Sequence, residues 1–226
     1  MGQVYHSTFQ GKARGAGILI SKSVQFISSE TISDPNGRFV VVVGKLYGLP
    51  VTLACVYAPN WDDSKFMNNF LSTIPYLDTH QLILAGDCNC VINPLWDRSS
   101  TRIATKSKTA ECIESFLQSR AMSDPWRFLY PTKKEYSFFS PVHHTYSRID
   151  YFFIHKTLLP LVEACDYNSM VISDHAPVTL VLTFPNHRPN RFRWRLNSLL
   201  LLDESFITFI NVYIDIFLET NVNDET

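Results

Sequence analysis

Short apolar runs rich in β-branched residues, separated by turn residues, dominate the first part of the chain. Residues 17–20 and 39–43 are predicted strands, with residues 34–37 (Asp-Pro-Asn-Gly) as the turn between them. Similar runs at residues 51–57 and 81–85 predict two more strands, the second of them buried. We therefore expect this part of the chain to contribute mainly to a sheet.

Apolar residues at helical spacing predict two helices. They cover residues 65–77, with Asp63 or Ser64 as the N-cap, and residues 109–119. The other predicted elements are paired strands at residues 136–139 and 149–154, a short helix at residues 157–164 and a last strand at residues 178–183. Helices and strands that alternate without repeats predict a layered α/β sandwich of mixed sheets.

The chain divides into three predicted regions: a domain over residues 1–184, a basic linker over 185–197 and an amphipathic helix over 198–226. The helix either packs on its own domain or leads into a neighbouring domain downstream. Four arginines in the linker alternate with aromatic residues and either contact phosphates and bases or form a solvated connection. These residues are Arg188, Arg191, Arg193 and Arg195, with Phe192 and Trp194 between them.

The net charge of −1 conceals an asymmetry along the chain. Six of the 21 acidic residues lie from Asp203 onward, where there is no Lys or Arg, so the rest of the chain has 15 acidic against 20 basic residues and carries +5. A mildly basic body is compatible with nucleic acid but is not specific for it.

The five cysteines show no metal-binding or disulfide pattern, because Cys88 and Cys90 have no second pair at suitable spacing. The N-terminus lacks the basic and apolar regions of a signal peptide. No run reaches the roughly 18 to 20 apolar residues of a membrane span. We therefore expect an intracellular protein, nuclear or cytoplasmic, that has no membrane partner.

Ionisable side chains follow three strand-like runs. Asp87 and Asn89 end one, Asp150 begins another, and Asp174 and His175 precede the last. Carboxylates at strand ends can bind Mg²⁺ or activate water, and an imidazole paired with an acid can stabilise the charge on a phosphorus centre. Each residue alone also has a structural explanation, as a turn, cap or salt bridge. Their joint occurrence favours a site for phosphate chemistry.

Four ordered segments resemble motifs of the endonuclease/exonuclease/phosphatase family. They are residues 56–60 (Val-Tyr-Ala-Pro-Asn), 86–89 (Gly-Asp-Cys-Asn), 147–151 (Ser-Arg-Ile-Asp-Tyr) and 173–178 (Ser-Asp-His-Ala-Pro-Val). Residues 135–147 are similar to the DNA-contacting hairpin of the apurinic-type endonuclease in long-interspersed-element (non-LTR) retrotransposons.

The resemblance implies a four-layered αββα sandwich of two mixed sheets and divalent-metal phosphodiester hydrolysis. Matching positions give Asp87 as the group that activates water, Asn89 as its support, and Tyr57 as a phosphate ligand. Asp150 would orient His175, and Asp174 would bind the metal, Mg²⁺ or alternatively Mn²⁺. The implied substrate contacts are Ser137, His143, His144, Thr145 and Arg148. A downstream reverse-transcriptase domain is expected in the parent polyprotein.

One departure from the family concerns its first strand, helix and second strand, which carry an asparagine and a Gln-Glu pair. Residues 15–18 (Gly-Ala-Gly-Ile) resemble the strand that follows that glutamate, the principal metal ligand of the family. Neither the asparagine nor the Gln-Glu pair is found here. We therefore expect a domain that lacks its first strand-helix-strand, with an exposed sheet edge and weaker metal binding.

Three functions follow from these patterns. The first is a Mg²⁺-dependent endonuclease that nicks DNA. The second is a DNA-binding remnant without catalysis. The third is a phosphatase or phosphodiesterase of the same family that acts on phosphoinositides or other small phosphate esters.

Overall fold

The structure is a computed structural model that describes residues 2–9, 14–100, 105–171, 173–184 and 198–221. The chain forms two compact units, Met1–His187 and Arg188–Thr226. In chain order, the strands are β1 (Gln3–Thr8), β2 (Gly15–Ile20), β3 (Phe26–Ser33), β4 (Phe39–Leu46), β5 (Leu49–Tyr57), β6 (Gln81–Asp87), β7 (Met122–Ser123), β8 (Phe138–Ser140), β9 (Thr145–Ser147), β10 (Asp150–His155), β11 (Val162–Tyr167) and β12 (Val178–Leu182). The α-helices are α1 (Ser64–Thr73), α2 (Lys108–Ser119), α3 (Pro125–Leu129) and α4 (Glu204–Asn221).

A six-stranded sheet in the order β3-β4-β5-β6-β10-β7 is the largest element of the first unit. The pair β5 and β6 is parallel and the other pairs are antiparallel, so the sheet is mixed, as expected. The register places Tyr57 opposite Asp87 and Asp87 opposite Asp150. Three of the predicted site residues therefore lie side by side at one end of the sheet.

Helices α1 and α2 cover one face of this sheet. Asp63 caps α1 by accepting a hydrogen bond from the backbone N–H of Phe66 at 2.9 Å, and Ser107 caps α2. Met67 and Phe70 of α1 pack into a fully buried core with alternate side chains of β5, β6 and β10. The predictions of helices at residues 65–77 and 109–119 are confirmed, although α1 ends four residues before the predicted boundary.

Two separate two-stranded ladders lie on the opposite face of the sheet. Antiparallel β1 and β2 pack over β4 and β5 through a second apolar core, while β11 and β12 lie next to β10. Ile83 and Ala85, on the same face of β6, are only half-buried. The mixed α/β fold is therefore confirmed, and in the described part of the chain the second layer of the sandwich consists of these two ladders.

Three of the predictions are wrong. The turn at residues 34–37 joins β3 to β4, and not the strand at residues 17–20 to that at 39–43, because β3 lies between them and β2 pairs with β1. The predicted pair of strands 136–139 and 149–154 does not form, because β8 pairs with β9 and β10 pairs with β6 and β7. The predicted helix at residues 157–164 is a short 3₁₀ turn, Lys156–Leu161, followed by β11. Pro160 inside the turn and the β-branched Val162 after it favour an extended chain over a continuing helix.

The second unit contains a 3₁₀ turn at Ser198–Leu202 and the helix α4. Asp203 separates them, since its side chain accepts hydrogen bonds from the backbone N–H groups of Ser205 and Phe206 at 2.9 and 3.2 Å. A helix is thus present within the predicted region of residues 198–226, but it begins at Glu204 after a 3₁₀ turn. The predicted basic linker lies outside the described residues. In the described part of the chain, no helix combines the length and apolar character needed to cross a membrane.

Candidate active site

Asp87 and Asn89 form a tight turn at the end of β6. The carboxylate of Asp87 accepts hydrogen bonds from the backbone N–H of Asn89 at 2.8 Å and from its Nδ2 at 3.0 Å. Asn89 has a φ of 47°, a left-handed conformation that asparagine tolerates well. Its Nδ2 also donates to the carbonyl of Ala58 at 2.9 Å. Both amide protons of Asn89 are therefore engaged, and its Oδ1 is the group left for a ligand.

Gly86 allows the end of β6 to approach β5 closely. Its φ is 136°, and a Cβ atom there would lie 2.0 Å from the carbonyl oxygen of Val56. Any side chain would have to displace backbone, so this position needs glycine. The close approach keeps Asp87 directly beside the end of β5.

Asp150 and His175 form a hydrogen-bonded pair across from Asp87. The Nδ1 atom of His175 lies 2.8 Å from Oδ2 of Asp150, which leaves the Nε2 atom of His175 for a substrate. The ring of Phe138 packs 4.9 Å, centroid to centroid, from the imidazole. The predicted pairing of Asp150 with His175 is present in the structure.

Ser137 forms hydrogen bonds to the backbone next to both Asp150 and His175. Its hydroxyl oxygen accepts hydrogen bonds from the backbone N–H groups of Ile149 at 2.9 Å and Asp150 at 3.0 Å. Its carbonyl accepts from the N–H of Ala176 at 2.7 Å. The residue is fully buried. Ser137 therefore holds the backbone beside Asp150 and His175 and does not face a substrate, which corrects its assignment as a DNA contact.

The carboxylates and the imidazole perturb one another. Burial, and then the nearby Asp150 carboxylate, raise the pKa of Asp87 to about 6. The hydrogen bond that Nδ1 of His175 donates to the carboxylate of Asp150 is the main cause that raises the pKa of His175 above its ordinary value. This arrangement therefore places a carboxylate that can accept a proton next to an imidazole whose protonated form is favoured.

Among the described residues, one group of acidic and histidine side chains could hold a metal ion. It consists of Asp87, Asp150 and His175, whose ligand atoms all lie within 4.8 Å of one another. Two carboxylates this close repel each other, which adds to the effect of burial in raising the pKa of Asp87, and a bound cation would relieve that repulsion. The donor set therefore fits a divalent cation. Asp174, the predicted metal ligand, does not belong to this group: its side chain is exposed and accepts a hydrogen bond from Ser173 at 3.1 Å.

Beside Asn89 lies an open cavity of about 870 Å³. Residues of the β8–β9 hairpin, including His143 and Thr145, line it together with Arg98 and Asn89. His143 and His144 are exposed in the turn of the hairpin, and His144 has a φ of 47°. The structure therefore brings His143 and Thr145 to the same cavity as Asn89, while Tyr57 lies beside Asp87 in the sheet.

Arg148 does not line this cavity. Its guanidinium is 1% exposed and donates to Asp97 at 2.9 and 3.1 Å and to Asp124 at 2.6 Å. Arg127 also pairs with Asp97. A charge buried in such a network cannot reach a substrate, so the prediction of Arg148 as a substrate contact is corrected to a structural role.

The sequence analysis did not identify Asp97 or Tyr167 as part of this region. Tyr167 donates its hydroxyl proton to the carbonyl of Asp150 at 2.7 Å and lies 3.4 Å from the guanidinium of Arg148. The buried network thus reaches the backbone of Asp150. A residue pattern offers no signal for such a contact, because Asp97 and Arg148 are 51 positions apart.

No protein-family model matches the sequence. Among solved structures, the chain is similar to the endonuclease domain of TRAS1, a telomere-specific non-LTR retrotransposon, with 17% identity, a TM-score of 0.59 and 81% of each chain covered. It is similar to the 3′-5′ exonuclease NExo from Neisseria meningitidis, with 17% identity, a TM-score of 0.59, and 81% of this chain and 80% of that one covered. The Neisseria protein is also known as a 3′ phosphatase, in a structure bound to product DNA hairpin.

The chain is similar as well to the AP endonuclease LMAP from Leishmania major, with 20% identity, a TM-score of 0.53 and 68% of this chain covered. This match spans 56% of the Leishmania protein. At such identities the likeness concerns the fold, and it agrees with the mixed sheet and helices described above. This chain has the α/β fold of the endonuclease/exonuclease/phosphatase family.

Proposed function

We propose that this protein hydrolyses phosphodiester bonds of DNA with the help of a divalent cation, as an endonuclease that nicks one strand. The observation that carries the proposal is the cluster of Asp87, Asp150 and His175, with Asn89 beside it. It joins a proton acceptor, a proton donor and a cation site within a few ångströms.

The residues have complementary chemical roles in this proposal. A water molecule attacks phosphorus and Asp87 accepts its proton, while the bond to the leaving oxygen breaks and that oxygen takes up a proton from solvent. Oδ1 of Asn89 orients that water, since both protons of its amide group are already donated. The N–H at Nε2 of His175 stabilises the negative charge that grows on a phosphate oxygen, and Asp150 holds the ring in place.

We propose Mg²⁺ as the cation, held by the carboxylates of Asp87 and Asp150, with Asp174 as a further oxygen ligand on the substrate side. Mg²⁺ binds through a few carboxylates and substrate phosphates and keeps several waters, which suits a site with only two close carboxylates. When bound, it would neutralise charge on the reacting phosphate. Mn²⁺ has the same ligand preferences and is the alternative.

DNA is favoured over a small phosphate ester by the surroundings of the cluster. The 870 Å³ cavity is open and extends from Asn89 to the exposed hairpin with His143 and Thr145, as an extended polymer would require. Proteins of the same fold include the endonuclease domain of a retrotransposon and an enzyme solved with a DNA hairpin. A small ester would leave most of this cavity unused.

A nicking assay on supercoiled plasmid tests the proposal. We expect relaxed circles with Mg²⁺, none with EDTA, and a loss of at least a hundredfold in rate for His175→Ala. His155→Ala is the matched control, because His155 lies at the opposite end of β10. Binding of DNA without nicking would show a DNA-binding remnant instead, and hydrolysis of inositol phosphates without nicking would favour the phosphatase.

A further inference from the structure

Arg38 is a buried cation without an ion pair. Its side chain lies just before β4, and the residue is 8% exposed. Its Nη1 donates to the carbonyls of Tyr57 at 3.4 Å and Ala58 at 3.2 Å. Among the residues that the structure describes, no acid pairs with it. A guanidinium that is largely buried and has no carboxylate partner keeps donors free for an anionic ligand.

The remaining donors of Arg38 point to a ligand from solvent. Its Nε and Nη2 donate no hydrogen bond within the described part of the chain, yet neither is a buried atom lacking a partner. Both nitrogens therefore reach solvent. Two adjacent N–H groups of a guanidinium match two oxygens of a phosphate.

Arg38 is linked to the candidate active site through one carbonyl group. The carbonyl of Ala58 accepts from Nη1 of Arg38 at 3.2 Å and from Nδ2 of Asn89 at 2.9 Å. Asn89 in turn bonds to Asp87 at 3.0 Å. A phosphate on Arg38 would thus lie on the side of the Ala58 carbonyl opposite to Asn89, near a substrate phosphate at Asp87.

Trp61 supplies an aromatic surface beside this cation. The side chain is 60% exposed, and the guanidinium carbon of Arg38 lies 5.9 Å from its ring centroid. Trp61 and Arg38 both line a cavity of about 360 Å³. Trp61 and Asn89 both line a second cavity, of about 130 Å³. Exposed aromatic rings next to arginines stack nucleic-acid bases.

The acidic residues that line the cavity of about 360 Å³ form no ion pair with Arg38, and the attraction of Asp34 and Asp87 is smaller than the combined effect of burial and Arg14, so the pKa of Arg38 is lowered. Asp34 accepts hydrogen bonds from the backbone N–H of Arg38 at 2.9 Å and from Asn36, and Asp63 caps α1. Arg14 lines the same cavity and, after burial, is the main cause that lowers the pKa of Arg38. An anion between the two guanidinium groups would remove this repulsion.

We infer that Arg38 and Trp61 form a nucleotide subsite next to the reacting phosphate, in which Arg38 binds the neighbouring phosphate and Trp61 stacks its base. This inference rests on the proposed function, because it requires a nucleic-acid substrate. It adds a second point of attachment beside Asn89.

Fluorescence anisotropy with a labelled 20-base-pair DNA duplex, in EDTA and over a range of salt concentrations, tests the subsite. We expect Arg38→Gln to weaken binding and to reduce the slope of log K against log salt by about 0.9, the loss of one phosphate contact. Arg38→Lys should keep the slope. Arg120→Gln, an equal loss of charge at the end of α2, should leave the slope unchanged.

Trp61→Ala provides an independent result. We expect binding about tenfold weaker at every salt concentration with the slope unchanged, because stacking releases no counterions. An unchanged slope in Arg38→Gln overturns the phosphate contact, and unchanged affinity in Trp61→Ala overturns the stacking. If Arg38→Gln does not fold, the other two variants test the subsite. A reduced slope of log K against log salt in Arg38→Lys, or an unchanged DNA affinity in Trp61→Ala, would then overturn it.

The binding readout separates this inference from the proposed function. Nicking by the wild type with no change of slope in Arg38→Gln overturns the subsite alone. Binding with the expected change of slope, but without nicking, overturns the nuclease and supports the subsite. A wild type that does not bind DNA at all overturns both.

Discussion

Replacement of Asp87 by asparagine should stabilise the folded protein at neutral pH while it abolishes activity. Burial and the adjacent Asp150 raise the pKa of Asp87 from an ordinary 3.8 to about 6. A raised pKa means that the folded protein binds this proton more tightly than the unfolded chain does. The ionised carboxylate therefore destabilises the fold, and stability falls as pH rises from about 4 to about 6.

The size of the effect follows from the same shift. The difference between 3.8 and about 6, at about 1.4 kcal/mol per pKa unit, gives an upper bound of about 3 kcal/mol for the cost of ionising Asp87. Asparagine carries no charge, but its amide would meet the Nδ2 donor of Asn89, which costs about 1 kcal/mol. We expect Asp87→Asn to raise the free energy of unfolding by about 1 to 2 kcal/mol at pH 8.

Urea unfolding in EDTA, at pH 8 and at pH 4, measures this difference. At pH 4 the wild-type carboxyl is protonated in the folded state, so the advantage of Asp87→Asn should disappear. Asp166→Asn, at an exposed position of β11, should change stability by no more than about 0.5 kcal/mol at either pH. A variant less stable than the wild type at pH 8, or an equal difference at both pH values, would refute the reasoning.

Three other predictions concern the pH profile, the buried ion network and the core. The kcat/KM for nicking should rise as Asp87 loses its proton near pH 6 and fall at higher pH as His175 loses its own, measured as initial rates in overlapping buffers. Asp150→Asn should move this fall to lower pH, because it removes the carboxylate that raises the pKa of His175. Arg148→Ala should lower the free energy of unfolding in urea by about 3 to 5 kcal/mol, since it leaves buried acids without their partner. Phe70→Ala should cost about 3 to 5 kcal/mol in thermal unfolding, because its ring is fully buried between α1 and the sheet.

Hydrophobic patterning predicted the strands that are buried and missed those at the edges. Residues 39–43 and 81–85 are apolar runs, and both lie in strands of the central sheet. The polar β1 and β3, by contrast, have mostly exposed side chains and owe their extended form to pairing with β2 and β4. Such strands depend on pairing with a partner strand, which the apolar pattern within the strand itself does not reveal.

The sequence predicted which residue types form the candidate site, but not how they are arranged in space. Strand ends identified Asp87 and Asp150, and the register of β6 and β10 places them opposite each other. Burial could not be inferred from the motifs, so Ser137 and Arg148 were assigned to the substrate although both are buried in hydrogen-bond networks. Arg38 was not predicted as a site residue, because its burial without an acidic partner is visible only in the structure.

The central claim is that Asp150 and His175 act as one unit on a phosphate. A double-mutant cycle of Asp150→Asn and His175→Ala, read as kcat/KM for plasmid nicking with Mg²⁺, tests it most directly. If Asp150 acts through the 2.8 Å bond to His175, the double variant should be about as slow as His175→Ala alone. Losses that multiply in the double variant, or a His175→Ala variant as active as the wild type, would contradict the account.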